Sequence, residues 1–327
     1  MFLGKVNSDN NTILLNILDG ITSDGIDGLT QYLFPNDKGI CRLLTTDSES
    51  SFIELFLLFY RIGYVDDISN MSQCLKTRMF IESLNKSKYS TFIINVCKHH
   101  HAHISQYAAQ LLPPPTITTE TYNIQNRYHR FLQDGTKTDA VSGWLLYASF
   151  YYVTGQFGVT LRLIDYVLSR CSPDMIIFCH GIYDDRVKNN YRNHVHYTMT
   201  LNEKIRISTV SDIHYAHHSP LMPDELQLEV NVTDMFISPT VMSHCLRFLC
   251  YHHLGDIFNR QKALWDLYST VNNKYFIRNH GLSVSMAILG VCFEISGDKD
   301  AACQCYDEVQ KCDGFIIPSA KLRKKNF

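Results

Sequence analysis

Residues 142–173 read SGWLLYASFYYVTGQFGVTLRLIDYVLSRCSP, and this stretch decides the predicted fold. Aromatic and small residues recur at helical spacing before Gly155, and large aliphatic residues recur after it. Pro173 ends the pattern because proline lacks the amide donor that another helical turn needs. The stretch therefore predicts two antiparallel helices joined at Gly155. The spacing approximates the tetratricopeptide signature, and such a hairpin needs neighbouring hairpins to bury its apolar face.

Two later stretches, 238–271 and 281–311, predict further hairpins with turns at Gly255 and Gly297. Together the three predict an all-α fold in which tetratricopeptide-like hairpins form a short α-solenoid. The alternative is an ordinary α-bundle, because glycine turns between paired helices are common there too. The two turns are 42 residues apart rather than the 34 of the standard repeat, which indicates a divergent array.

The last hairpin matches the repeat best. Its small residues Gly290 and Ala302 are placed to let two helices approach closely. The middle hairpin matches less well, because Ala263 and Leu267 come three residues late. This offset predicts a longer turn in the middle hairpin.

The rest of the chain is divided around these hairpins. We predict a lead-in segment (1–47), an N-terminal helical bundle (48–137), a first hairpin (138–173), an irregular insert (174–237), two hairpins (238–312) and a basic tail (313–327). Within the bundle, apolar spacing predicts a helix beginning at Ser48 and others at 71–84, 91–112 and 122–132. Within the insert, 184–193 predicts a loop and 226–230 a possible strand.

Composition excludes several classes of protein. Apolar residues make up 45% of the chain and charged residues 19%, which is typical of a globular protein. A net charge of −2 favours binding neither to nucleic acid nor to an anionic membrane. The longest apolar run, 52–62, is about half as long as a bilayer span. Eleven irregularly spaced cysteines indicate buried free thiols and hence a reducing, cytoplasmic location.

No motif in the sequence predicts catalysis. Gly-x-Ser-x-Gly, the Gly-Lys-Ser/Thr phosphate loop and Cys-x-x-Cys are all missing, so we predict a non-enzyme without a cofactor. His99 and His103 are weak metal candidates, because a spacing of four places them on one helical face. Zinc needs further ligands, and the sequence places none nearby on that face. A metal-dependent enzyme is thus the least favoured class, and His100 falls on the apolar stripe of the same helix.

Three runs resemble a known family: DAVSGWLLYASFYYVTGQFGVTLRLIDYVLSRC (139–171), VMSHCLRFLCYHHLGDIFNRQKALWDLY (241–268) and ILGVCFEISGDKDAACQCYD (288–307). They resemble the C-terminal region of molluscan, especially bivalve, male-abnormal-twenty-one-like (Mab-like) proteins, within the cyclic GMP-AMP synthase-like nucleotidyltransferases. The opening MFLGKV resembles the segment after their catalytic core. The fingerprint of that core, a Gly-Ser or Gly-Gly turn followed by alternating acidic residues, is missing here. The resemblance therefore implies the downstream helical part, without catalytic residues, in an innate-immune or signalling context.

These observations favour a protein–protein interaction scaffold. The first helix of each hairpin is predicted to line a concave face that binds a protein partner or an intramolecular domain. The predicted lining residues are Leu145, Ser149, Tyr152, Cys245, Leu249, His252, Ala287, Val291 and Glu294. The alternative is that these residues are ordinary core. The alternative function is an accessory domain of a nucleotide second-messenger enzyme or sensor whose catalytic core is not in this chain.

Overall fold

A computed structural model describes residues 70–86, 91–115, 121–177, 185–196, 198–230, 234–277, 281–312 and 318–324. The predicted lead-in segment and the helix predicted to begin at Ser48 lie outside the described residues. The chain divides after Phe80 into two units, of which the second comprises residues 81–327.

The described residues are mainly α-helical, which confirms the predicted fold class. The helices are α1 (Met71–Lys86), α2 (Thr91–Gln110), α3 (Thr121–Gly135), α4 (Ser142–Val153), α5 (Phe157–Arg170), α6 (Asp185–His194), α7 (Leu201–Ser208), α8 (Gln227–Val230), α9 (Pro239–His253), α10 (Ile257–Asn272), α11 (Leu282–Ser296), α12 (Lys299–Lys311) and α13 (Pro318–Lys324). The strands are β1 (Ile176–Ile177), β2 (Thr209–Val210), β3 (Ile213–Tyr215) and β4 (Met235–Ile237), and a 3₁₀ turn covers Asp224–Leu226.

The helices pack as successive hairpins. The pairs α2–α3, α4–α5, α9–α10 and α11–α12 each pack along one another. Neighbouring pairs are joined where α3 meets α4, α5 meets α9 and α10 meets α11. The first helices of the last three pairs also touch in order, α4 on α9 and α9 on α11. This stacking is the tetratricopeptide-like arrangement that the sequence predicts.

The three glycine turns share one hydrogen-bond pattern. Gly155, Gly255 and Gly297 have φ values of +75°, +69° and +92°, in the left-handed region that favours glycine. The following residues, Gln156, Asp256 and Asp298, donate their N–H groups to the carbonyl oxygen five residues back at 2.8, 3.0 and 3.0 Å. This bond, with the shorter one from each glycine N–H, defines the Schellman motif. Each turn therefore reverses the chain in the same way.

Because the turns are alike, the returning helices are in the same register. The residues nine and twelve positions after each glycine are buried: Ile164 and Val167, Leu264 and Leu267, Tyr306 and Val309. The predicted longer turn in the middle hairpin is wrong, since α10 begins two residues after Gly255 as α5 does after Gly155. The middle hairpin differs five residues after its glycine, where half-buried Arg260 replaces a small buried side chain. Because Arg260 interrupts the apolar spacing at this position, the apolar pattern of α10 appears in the sequence to begin three residues late.

The insert contains more helix than the sequence predicts. The loop predicted at 184–193 is largely helix α6, and the strand predicted at 226–230 lies in the 3₁₀ turn and α8. Polar composition concealed α6, in which Val187 is the buried residue. Helix α7 begins with a capping box, in which Thr200 and Glu203 satisfy each other's backbone N–H groups.

Two small β-ladders form within the insert. β1 pairs in parallel with β2, and β3 pairs antiparallel with β4. In the second ladder, Tyr215 and Ile237 are buried while Phe236 is exposed. β3 packs on α4, so the core of this unit extends from the hairpins into the insert.

The close approach predicted at Gly290 is present. A Cβ atom at this position would lie 2.6–3.0 Å from three ring atoms of Tyr306. The Tyr306 side chain is fully buried, so it has little room to move. α11 and α12 can therefore pack this closely only because residue 290 has no side chain.

We expect Gly290→Ala to lower the free energy of unfolding by about 1–3 kcal/mol, because overpacking forces the Tyr306 ring to shift. Urea denaturation followed by circular dichroism would measure it. Gly158→Ala is the matched control, since nothing lies within 4 Å of a Cβ atom there. Equal stability of the two variants would contradict the packing argument.

Candidate functional site

The concave face predicted from the sequence is interior, not an open surface. Leu145, Ser149, Leu249 and Val291 are at most 1% exposed, and Tyr152 is 5% exposed. The chain's own insert covers the first helices, with β3 on α4 and the 3₁₀ turn on α11. The prediction that these five residues line an open concave face is therefore wrong: they are core residues.

One contact shows how the insert occupies this face. The hydroxyl groups of Tyr215 in β3 and Ser149 in α4 lie 2.5 Å apart, and both residues are buried. Burial raises the pKa of Tyr215, so its phenol stays neutral and can take part in this bond. An external partner could reach Ser149 only by displacing β3.

Tyr152 lies in a second contact between the insert and two hairpins. Its hydroxyl donates to Glu225 Oε1 at 2.8 Å, and His253 Nε2 lies 3.0 Å from the same carboxylate oxygen. The His253 ring stacks on Phe157 with 5.0 Å between centroids. Burial, followed by the Glu225 charge, raises the pKa of Tyr152, which therefore remains a neutral donor. These contacts join α4, α5, α9 and the 3₁₀ turn at one place.

The predicted residue His252 contacts a different neighbour. Its Nδ1 lies 3.3 Å from Arg260 Nη1 in α10, and its ring stacks on Phe248. Burial, Arg260 and His253 lower the pKa of His252, which favours the neutral imidazole. His252 is thus half-buried between the two helices of its own hairpin. It does not share the contacts described for Tyr152.

Glu294, the last predicted residue, belongs to a network around Arg323 in α13. The Arg323 guanidinium donates to Glu229 Oε1 at 3.2 Å, to Glu294 Oε2 at 3.4 Å and to the Glu225 carbonyl oxygen at 2.7 Å. Tyr306 donates to the same Glu294 oxygen at 2.9 Å. The network therefore joins α11, α12, α13 and the insert.

The charges of the central pair are held inside the protein. The Glu229 side chain is 1% exposed and the Arg323 side chain 12%. Burial raises the pKa of Glu229 even though Arg323 opposes the change. Burial also works against the Arg323 charge, but Glu229, Tyr306 and Glu294 together outweigh it and raise the pKa of Arg323. Removing one partner would leave the other charge buried and uncompensated.

The sequence analysis missed Glu225, Glu229 and Arg323. The two glutamates are four residues apart, a spacing that places both on one helical face, but polar surroundings concealed it. Arg323 falls in the stretch predicted as a basic tail. Residues 318–324 of that stretch form α13, which packs on α8 and α12. Lys321 and Lys324 are exposed, whereas Arg323 faces the protein.

The predicted metal candidates His99 and His103 lie close together on α2, but they differ in exposure. The His99 and His103 rings lie 4.5 Å apart between centroids, with His99 buried and His103 exposed. Among the described residues, no group of three or more His, Cys, Asp or Glu side chains is arranged to hold a metal ion. His100 is 2% exposed, as expected of a core histidine.

A different surface stands out on α10. Ile257, Phe258, Trp265 and Tyr268 are 68%, 79%, 67% and 37% exposed. At about 100° per residue they lie within about 100° of the helix circumference, on one face of α10 that also carries exposed Gln261; this face is here called the α10 stripe. The Trp265 and Tyr268 rings are 5.5 Å apart, and Tyr268 meets Phe293 of α11 edge-on at 6.3 Å. Large apolar side chains exposed on one helix face are typical of binding sites.

Seven of the described cysteines are free, buried thiols, as the sequence predicts. Burial raises the pKa of Cys97 to about 11 and that of Cys171 to about 12, so these thiols stay protonated. They behave as small apolar side chains.

In the described part of the chain, no helix combines the length and apolar character that a membrane span requires. Comparison with protein-family models, curated proteins and solved structures gave no match. The resemblance to Mab-like proteins therefore stays a prediction.

We expect Arg323→Met to lower the free energy of unfolding by about 3 kcal/mol, because Glu229 would remain buried without its countercharge. Lys321→Met, at an exposed position of the same helix, should change it little. Urea denaturation would measure both. The double variant Arg323→Met/Glu229→Met should recover much of the loss, since it removes both buried charges. An Arg323→Met protein as stable as Lys321→Met would contradict the role given to this network.

Acid should destabilise the protein through His100. Burial lowers the pKa of His100 to about 4 from its usual 6.5, so the unfolded chain binds the proton first as the pH falls. Stability is therefore lost from the unfolded-state value of 6.5 downward. Between about pH 7 and about pH 4.5, His100→Leu should lose about 2 kcal/mol less than the wild type. Urea titrations at the two pH values would measure the loss of free energy of unfolding in each protein. An equal loss in the wild type and in His100→Leu would show that His100 is not the group responsible.

Proposed function

We propose that this chain is a non-catalytic protein–protein interaction scaffold that uses the α10 stripe as its binding surface. The observation that carries the proposal is the contrast between two faces of the same hairpins. The face predicted to bind is filled by the chain's own insert, whereas the α10 stripe exposes three large aromatic side chains. Aromatic residues, Trp and Tyr above all, dominate the energetics of protein interfaces.

The surroundings of the stripe support a rigid presentation. Leu264 and Leu267 of the same helix are buried, and α10 packs on both α9 and α11. Asp256 caps the helix by accepting the Asn259 N–H at 3.1 Å. A preorganised row of side chains loses little conformational entropy on binding.

A cytoplasmic location is part of the proposal. It is supported by the free, buried thiols, which suit a reducing compartment. The proposal assigns the chain a protein partner and neither a nucleic acid nor a membrane.

The resemblance to Mab-like proteins supports a second proposal, an accessory domain of a nucleotide second-messenger enzyme or sensor. The three runs that carry the resemblance correspond closely to hairpin α4–α5, to α9 with most of α10, and to the α11–α12 turn region. Sequencing transcripts upstream of Met1 tests the fused form. An in-frame Gly-Ser turn followed by paired acidic residues is expected, and in-frame stop codons there would count against it.

We expect Phe258→Glu to leave the melting temperature almost unchanged, because Phe258 is 79% exposed. Leu249→Glu should abolish folding, because it buries a charge at a position that is 0% exposed. Thermal denaturation followed by circular dichroism distinguishes them. A stable Leu249→Glu protein would instead point back to an open concave face.

Site-specific photocrosslinking tests the binding surface in cells. A photoreactive phenylalanine analogue at position 265 should give a covalent adduct with one partner, and the adduct should disappear when Phe258→Glu is added. The same analogue at exposed Gln304 of α12 is the control and should give none. Equal adducts at positions 265 and 304, or an adduct that survives Phe258→Glu, would contradict the proposal.

A further inference from the structure

We infer that the α10 stripe binds an amphipathic helix of a partner protein whose apolar face is bordered by acidic side chains. The inference rests on the proposed function and adds the chemistry of the partner. Two features carry it: the shape of the stripe and the sign of the exposed charges around it.

The shape of the stripe suits a helix. It extends from Ile257 to Tyr268, about 16 Å at 1.5 Å per residue, which is the length of three helical turns. Its members recur at one side of α10, and the edge-on contact between Tyr268 and Phe293 extends the aromatic surface towards α11. A helix that inserts side chains at i, i+3, i+4 and i+7 fits an apolar strip of this length.

The two exposed charges of the segment that carries the stripe are positive. Among the exposed residues of 254–277, the charged ones are Lys262 and Lys274. The carboxylates of this segment are half-buried, and Asp256 is already used to cap α10. Acidic side chains on a partner helix lying along this segment would therefore meet two lysines, which favours an acidic border.

The same charges disfavour a second copy of this chain as the occupant. Two-fold antiparallel packing of α10 on α10, centred on the stripe, would bring the Lys262 residues of the two copies together. The exposed surface of the segment offers no carboxylate to compensate them. Like charges facing each other destabilise an interface, so the partner is a different, acidic helix.

The test uses the full chain and two synthetic helical peptides as probes. Both peptides carry the same Leu and Phe apolar face, one bordered by Glu and the other by Lys, and fluorescence anisotropy measures their binding. The Glu-bordered peptide should bind about ten-fold more tightly, and added salt should reduce this preference. The double variant Lys262→Glu/Lys274→Glu should reverse the preference for the Glu-bordered peptide. Lys299→Glu, at an exposed position of α12, should leave that preference unchanged.

Each outcome decides a separate point. Equal affinity for the two peptides, or binding of neither, overturns the acidic helix while the crosslinking result at position 265 still decides the proposed surface. Binding that Phe258→Glu does not weaken places the peptide elsewhere and overturns both. A dimer in size-exclusion chromatography with light scattering, dispersed by Phe258→Glu, assigns the stripe to a second copy and overturns the inference.

Discussion

The architecture depends on the left-handed backbone conformation, which glycine adopts without strain and which occurs at Gly155, Gly255 and Gly297. The hairpins α4–α5, α9–α10 and α11–α12 each turn through a left-handed glycine, and the same pair of hydrogen bonds ends the helix before it. Because the turn has a constant length, the buried positions of the returning helices fall at the same distance from it. Hairpins in one register can stack, and the packing of α5 on α9 and of α10 on α11 follows.

The insert changes what such an array can do. In an open solenoid the first helices would form a groove, but here the insert covers them and makes hydrogen bonds to them at Ser149 and Tyr152. The hairpins therefore form a frame around a core that includes the insert. Exposed apolar surface lies instead on a second helix, α10, where no described element covers the stripe.

Local chemistry decided how much of this fold the sequence could predict. The hairpins were predictable because glycine turns and helical periodicity are read within a few residues, and Gly290 because a small residue in an apolar helix implies a close neighbour. The burial of Leu145 and Val291 was not predictable, since the element that covers them is far away in the sequence. A polar segment such as α6 has almost no apolar periodicity to detect. The Thr200–Glu203 capping box is a local signal in the sequence for the start of α7.

The Arg323–Glu229 pair bears on how the chain folds during synthesis. The two residues are 94 positions apart, and Arg323 is the later one. At about 5–20 residues per second, the ribosome adds the arginine roughly 5–20 s after the glutamate. During that interval the insert cannot bury Glu229 as a compensated charge, so its final seating on the hairpins has to wait. We therefore expect the insert to pack fully on the hairpins only after α13 has been synthesised. The rate of translation would then set the delay between the synthesis of the insert and its final packing.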